Sequence, residues 1–141
     1  MLFAPLLFAL ATPAAHADPA PDPSKGAALL RGCQAEVRLM ELPSLSSAEP
    51  IDLINGAYCV GYLNGFTAGL TPATAAICTG EDSMAALVRA YVRFMERNPK
   101  LLDEDKRVGL RLALQEAYPC PAGTVLPEEP RLRTGVSSGH A

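Results

Sequence analysis

Apolar residues recur every three or four positions in separate stretches of the chain, which is the spacing of one face of an α-helix. The first such stretch begins after Ser24, a residue suited to cap a helix, and ends before Pro43. Its apolar positions are Leu30, Cys33, Val37 and Met40. We therefore predict a first helix between these two boundary residues.

The same spacing predicts a third and a fourth helix. Capping residues in 79–83 open the third, which runs to about Arg97. Asp103 is expected to cap the fourth, which ends before Pro119. The buried stripe of the third helix is expected to be Met84, Leu87, Val88, Tyr91 and Met95, and that of the fourth Val108, Leu110, Leu114 and Ala117.

The second helix, from Glu49 and Pro50 to about Leu70, is apolar on nearly every side. No charged residue occurs between Asp52 and Glu81. A helix without a polar face belongs in the centre of a bundle. A membrane span is the alternative, and it is disfavoured by two asparagines, a threonine and several glycines. Four small residues, Ala57, Gly61, Gly65 and Gly69, form a strip that another backbone could approach closely.

Strand signals are poor, so we predict an all-α fold, a compact bundle of about four helices in two antiparallel hairpins. The chain is expected to divide into a signal peptide (1–17), a flexible leader (18–24), a helical domain (25–121) and a disordered tail (122–141). Residues 2–11 are apolar, and Ala15, His16 and Ala17 form a small-x-small cleavage site. Only the Met1 amino group supplies positive charge there, and a buried apolar segment is the alternative. Export to an oxidising compartment is the prediction.

Four cysteines, at positions 33, 59, 78 and 120, allow three disulfide pairings. Cys33 lies about nine residues before the end of the first helix and Cys59 about nine residues after the start of the second, so the two face each other in an antiparallel hairpin. Cys78 precedes the third helix and Cys120 follows the fourth, so these two also meet. We predict Cys33–Cys59 and Cys78–Cys120, with unpaired buried thiols as the alternative.

The chain offers little for catalysis, metal binding or nucleic-acid binding. Its net charge is −3, and a nucleic-acid-binding domain would present a basic face. After the predicted cleavage the one remaining histidine is His140, and no Cys-x-x-Cys pair is present, so we expect no metal, no cofactor and no enzymatic activity. The acidic residues at 81–82 and 103–105 precede predicted helices, where capping is their ordinary role. A hydrolase acting through 103–105 is a remote alternative.

Three motifs lie along the predicted domain. The chain reads Cys59-x-Gly61-Tyr62-x-x-Gly65, then Tyr91-Val-Arg-Phe-Met-Glu-Arg-Asn-Pro99, and closes on Ala113-Leu-Gln-Glu-Ala-Tyr-Pro-Cys120. This series resembles the type VI secretion amidase-immunity family, the Rap/Tai immunity proteins, over about residues 30–120. The resemblance implies a periplasmic, disulfide-bonded, all-α protein, often a homodimer, that blocks a peptidoglycan-cleaving amidase by placing a loop in its active-site cleft.

The connection between the second and third helices, residues 71–82, is the candidate for that loop, and we call it the hinge. Its predicted partner-binding residues are Thr71, Thr74, Glu81 and Asp82. A plain surface connection is the alternative for the hinge. For the whole protein the alternatives are a periplasmic stress or chaperone-like helical protein and an orphan interaction module.

Overall fold

The computed structural model describes residues 21–70 and 76–121, and these residues confirm the all-α prediction. Two short 3₁₀ helices, Leu45–Ser47 and Pro99–Asp103, lie between the α-helices. No strand occurs in the described ranges. The α-helices are α1 (Gly26–Glu41), α2 (Pro50–Ala68), α3 (Met84–Arg97) and α4 (Lys106–Ala117).

Local hydrogen bonding decides where the helices begin, and it corrects two predicted caps. Ser83 caps α3, because its hydroxyl accepts from the Ala86 amide at 3.3 Å. α4 is capped by Asp105, not by Asp103, because the preceding 3₁₀ helix runs through Asp103. Ser24 does not cap α1 either: its hydroxyl donates to the side chain of Asp22 at 2.7 Å.

α1 is the central helix of the bundle, since it contacts α2, α3, α4 and the 3₁₀ helix Pro99–Asp103. The α3 stripe is confirmed as part of the core that α1 packs against, with Met84 at its edge. Within α4, Leu110 and Leu114 are buried as predicted, but Val108 and Ala117 are exposed. The prediction was wrong there because α4 buries one narrow face, which those two positions miss.

The placement of α2 contradicts the prediction that it is the central helix. Only Gly56, Cys59 and Leu63 of its residues are buried, whereas Ile51 and Ile54 are 60% and 67% exposed. The physical reason is that α2 packs mainly on α1, which covers a single face of it. No helix in the described part of the chain is both long enough and apolar enough to cross a membrane.

The close helix approach lies on the opposite side of α2 from the predicted strip. A Cβ added at Gly32 would lie 2.9 Å from the Asn55 carbonyl oxygen, and one at Gly56 would lie 2.7 Å from a methyl of Leu39. Added Cβ atoms at Gly61 and Gly65 would meet nothing within 4 Å. Within the described residues, therefore, no other backbone approaches the predicted strip at Gly61 or Gly65.

Both predicted disulfides are present. Cys33–Cys59 joins α1 to α2 across 26 residues of sequence, and Cys78–Cys120 joins the start of α3 to the end of α4 across 42. Loop-closure entropy alone attributes about 3.5 and 4 kcal/mol to these two links. No free cysteine occurs.

Residues 22–25 form a short segment before α1, which we call the strap, and they are tied to the start of α4. The Gly26 amide donates to the Glu104 carbonyl and the Lys106 amide donates to the Ser24 carbonyl, both at 2.9 Å. The Lys106 ammonium also donates to the Tyr58 hydroxyl at 2.8 Å and lies 4.5 Å from the ring centroid of Tyr62. This cation–π contact joins α2 to α4, and the same ammonium donates to the Pro23 carbonyl of the strap at 2.9 Å.

Candidate functional site

The described part of the hinge, residues 76–82, is fixed to the end of α4 by three kinds of contact. Cys78 is disulfide-bonded to Cys120, and its amide donates to the Tyr118 carbonyl at 2.9 Å. Ile77 forms an isolated antiparallel bridge with Pro119 and is only 5% exposed. The base of the hinge is thus part of the core rather than a free connection.

The backbone on each side of that base adopts the left-handed region. Ala76 has a φ of 49°, which is unfavourable for a residue with a Cβ, and Gly80 has a φ of 57°. The Asp82 amide donates to the Thr79 carbonyl at 3.2 Å, which closes a tight turn around Gly80. The surrounding contacts hold the backbone at Ala76 in this conformation, since a non-glycine left-handed residue persists only where its neighbours fix it.

Two of the four predicted partner-binding residues lie on this turn. Glu81 and Asp82 are exposed and adjacent, directly before the α3 cap Ser83. Thr71 and Thr74 lie outside the described residues. The structure therefore leaves Glu81 and Asp82 exposed at the hinge, and the two threonines stay predictions.

Tyr118 completes the described site and was missed as a site residue by the sequence reasoning. Burial raises the pKa of its hydroxyl, the nearby Asp82 carboxylate raises it further, and Arg93 opposes both effects. Ile77 was missed as well. The available signals were an aliphatic residue directly before a hinge cysteine and an aromatic residue directly before the closing Pro-Cys.

This arrangement is suited to binding. It presents a rigid turn, two exposed carboxylates and a half-buried tyrosine. Asp105 is engaged as a cap, because its carboxylate accepts from the Arg107 amide and guanidinium at 2.9 Å, and those bonds lower its pKa to about 2. No group of three side chains able to hold a metal ion occurs in residues 21–70 and 76–121.

The outward side of α2 is a second candidate surface. It consists of Ile51, Ile54, Ala57, Gly61 and Gly65, which we call the α2 face, and all five are exposed. It carries no charged side chain. Contiguous exposed apolar surface on a small protein marks an interaction site.

The protein-family model of the Rap1a immunity proteins matches residues 25–120, which span every described helix, both disulfides and the base of the hinge. The chain belongs to the Rap1a immunity protein family. No curated protein and no solved structure matches the chain significantly.

Family membership gives the coarse function. An immunity protein binds a protein effector and inhibits it, so membership of this family implies an inhibitor of a protein effector. The resemblance to immunity proteins is confirmed at that level. The amidase target, the periplasmic location and the homodimer are finer statements that the family match does not reach.

Proposed function

We propose that this protein acts in the periplasm and protects the cell from a peptidoglycan amidase effector by occluding its active-site cleft with the hinge. The observation that carries the proposal is the anchored base of the hinge, where Ile77 and Cys78 are bound to the end of α4. Inhibition of this kind needs no chemistry in the inhibitor, which accords with a site built for binding.

The anchoring bears on affinity. A free loop loses conformational entropy when it binds, and part of that loss is already incurred here by the disulfide and the tight turn. Glu81 and Asp82 stand at the exposed end of the described hinge and can accept hydrogen bonds from amides or cations that line a cleft. Reversing these two charges should therefore weaken binding without disturbing the core.

The test is periplasmic co-expression with each amidase encoded near the gene. The wild-type protein should restore growth of cells that express its cognate amidase, and Glu81→Lys with Asp82→Lys should not. Glu41→Lys with Glu49→Lys is the matched control, because both residues are exposed, acidic and distant in sequence from the hinge. If the wild-type protein rescues against none of these amidases, the proposed target is wrong.

The predicted homodimer would form, we propose, through the α2 face. Bulky residues occupy its first half and small residues its second, so an antiparallel pair of α2 helices sets Ile54 of each copy against the glycines of the other. Such a patch is self-complementary, as a two-fold interface requires. Because the face is uncharged, burying it leaves no unpaired ion.

Sedimentation equilibrium tests this interface. The wild-type protein should sediment as a dimer and Ile54→Asp as a monomer. Val108→Asp is the control, since Val108 is 42% exposed on α4, outside the α2 face. A wild-type monomer at about 100 μM, a concentration at which even a weak interface would be populated, would contradict the dimer.

The exposed α2 face also favours the chaperone-like alternative, because apolar surface of this kind can hold an unfolded client. That function predicts that the protein suppresses aggregation of a model client such as heat-denatured citrate synthase. Ile54→Asp should abolish the suppression. Efficient suppression together with no effect on any amidase would select this alternative over the immunity function.

A further inference from the structure

A groove between α3 and α4 carries unusual charge for this protein. The two helices together hold six basic side chains and two acidic ones, whereas the whole chain has a net charge of −3. The basic residues are Arg89, Arg93, Arg97, Lys106, Arg107 and Arg111, and the acidic ones are Glu96 and Glu116. Positive charge is therefore concentrated on the two helices α3 and α4.

Three of these arginines form a row. Arg89, Arg93 and Arg97 are four residues apart, so they lie on one face of α3, where like charges destabilise a helix. Arg97 donates to Glu116 at 2.6 Å. Arg89 and Arg93 form no hydrogen bond or ion pair with any residue in the described ranges. Of these two, Arg93 lines the groove, so one exposed guanidinium group is available there for an anion.

The groove has a polar half and an apolar half. The polar half is a cavity of about 340 Å³ with Arg93, Arg97 and Tyr118 at its walls and alanines between them. The apolar half, about 480 Å³, is lined by residues that include Leu101 and Leu112. Phe94 and Arg97 line both halves, so the two cavities adjoin each other at these side chains.

We propose that this groove docks an acidic, aliphatic segment of a protein partner. Carboxylates of the segment pair with Arg93 and Arg97, and an adjacent leucine or isoleucine enters the apolar half. A protein segment is the occupant that combines these two chemistries at neighbouring positions, whereas a nucleic acid or a lipid headgroup would leave the apolar half unfilled. Opposed charge of this kind sets specificity and association rate. The inference goes beyond the proposed function and stands whatever the effector's enzymatic class.

Glu116 makes the proposal sensitive to a gain as well as to a loss. Its carboxylate already occupies Arg97, and an incoming carboxylate has to compete with it. Glu116→Gln should therefore tighten binding, while Arg93→Glu should weaken it. If the groove had only a structural role, Glu116→Gln would not tighten binding.

The experiment uses a random 12-residue peptide library displayed on phage and panned against the oxidised full chain. Enriched peptides should carry Asp or Glu next to Leu or Ile. The best peptide, labelled with a fluorophore, is then titrated by anisotropy. Because one close charge pair or one anchoring side chain is worth about tenfold or more in affinity, we expect Arg93→Glu and Leu112→Asp each to weaken binding roughly tenfold. Glu116→Gln should tighten it about threefold.

Arg111→Glu is the matched control, since it makes the same charge change on α4 at a residue that lines neither half of the groove. It should alter the affinity by less than about twofold. Equal losses from Arg93→Glu and Arg111→Glu would reduce the effect to overall charge and overturn the proposal. Enriched peptides without carboxylates would overturn it too. So would tighter Arg93-dependent binding of a random DNA 20-mer or of anionic phospholipid vesicles, which would assign the groove to another class of ligand.

Discussion

α2 and α3 are neighbours in sequence, yet they occupy opposite positions in the fold. α3 has a sharp stripe, and every residue of that stripe from Leu87 to Met95 is buried. α2 is more apolar overall, but Ile51 and Ile54 face solvent. The difference teaches that periodicity indicates which face is buried, whereas a lack of charge indicates only that a face can be buried.

The largest expected effect tests the buried side of this comparison. Tyr91 is fully buried, and its hydroxyl donates to the Gly26 carbonyl at 3.4 Å. Tyr91→Ala should lower the free energy of unfolding by about 3–5 kcal/mol, because it leaves a cavity and an unfilled core. Ile54→Ala, at a concentration where the protein is monomeric, should change it by less than about 0.5 kcal/mol. Urea unfolding measures both. Similar losses from the two changes would contradict the contrast between the helices.

The next effect concerns how α2 is attached. Cys33→Ala with Cys59→Ala removes the link from α2 to the central helix, and loop closure predicts a loss of about 3.5 kcal/mol. Hydrogen exchange should then speed up first in α2, since only one of its faces is packed. Uniform acceleration across all four helices would mean that α2 is held as firmly as α3.

Two glycines of α2 separate its packed side from its open side. Gly56→Ala should destabilise the protein by roughly 1–3 kcal/mol, because the new methyl meets Leu39 and Glu36. Gly61→Ala meets nothing within 4 Å and, at a concentration where the protein is monomeric, should stabilise the helix by about 0.5–1 kcal/mol. Thermal unfolding followed by circular dichroism measures both changes. Effects of the same sign would show that the open side of α2 is misplaced.

The smallest expected effect is a loss of stability in acid, which arises from one aspartate at the start of α4 and one at the start of α2. Hydrogen bonds from Arg107 lower the pKa of Asp105 to about 2, and those from Arg38 lower the pKa of Asp52. Each lowered pKa contributes stability that is present above the unfolded value, about 3.9, and is lost as the pH falls through the folded value. The melting temperature should therefore fall between about pH 4 and pH 2. Asp105→Asn should flatten that fall, and an unchanged slope would contradict the assignment.

The sequence was sufficient to predict the four helices and both disulfides, because stripes, prolines and level cysteines are local or nearly local signals. It was insufficient where an outcome depends on neighbours. The position of α2 depends on which faces α1, α3 and α4 leave available, and no pattern within α2 encodes that. The cap of α4 shifted from Asp103 to Asp105 because the 3₁₀ helix Pro99–Asp103 continues past the expected start of α4.

The candidate site divides in the same way. Glu81 and Asp82 could be selected from the sequence because they lie in a connection next to a cysteine. The contacts of Ile77 with Pro119 and of Cys78 with Tyr118 could not, since they join residues about 40 positions apart. The arginine row on α3 was visible as a four-residue spacing, but its groove exists only when α4 packs beside it.

The most direct test of the central claim is an inhibition titration of the cognate amidase on purified peptidoglycan. The wild-type protein should abolish muropeptide release at an equimolar ratio. Glu81→Lys with Asp82→Lys should require at least about tenfold more inhibitor, since two charge pairs are lost. The control, Glu41→Lys with Glu49→Lys, should match the wild type. Equal inhibition by the hinge variant and the control would contradict occlusion by the hinge.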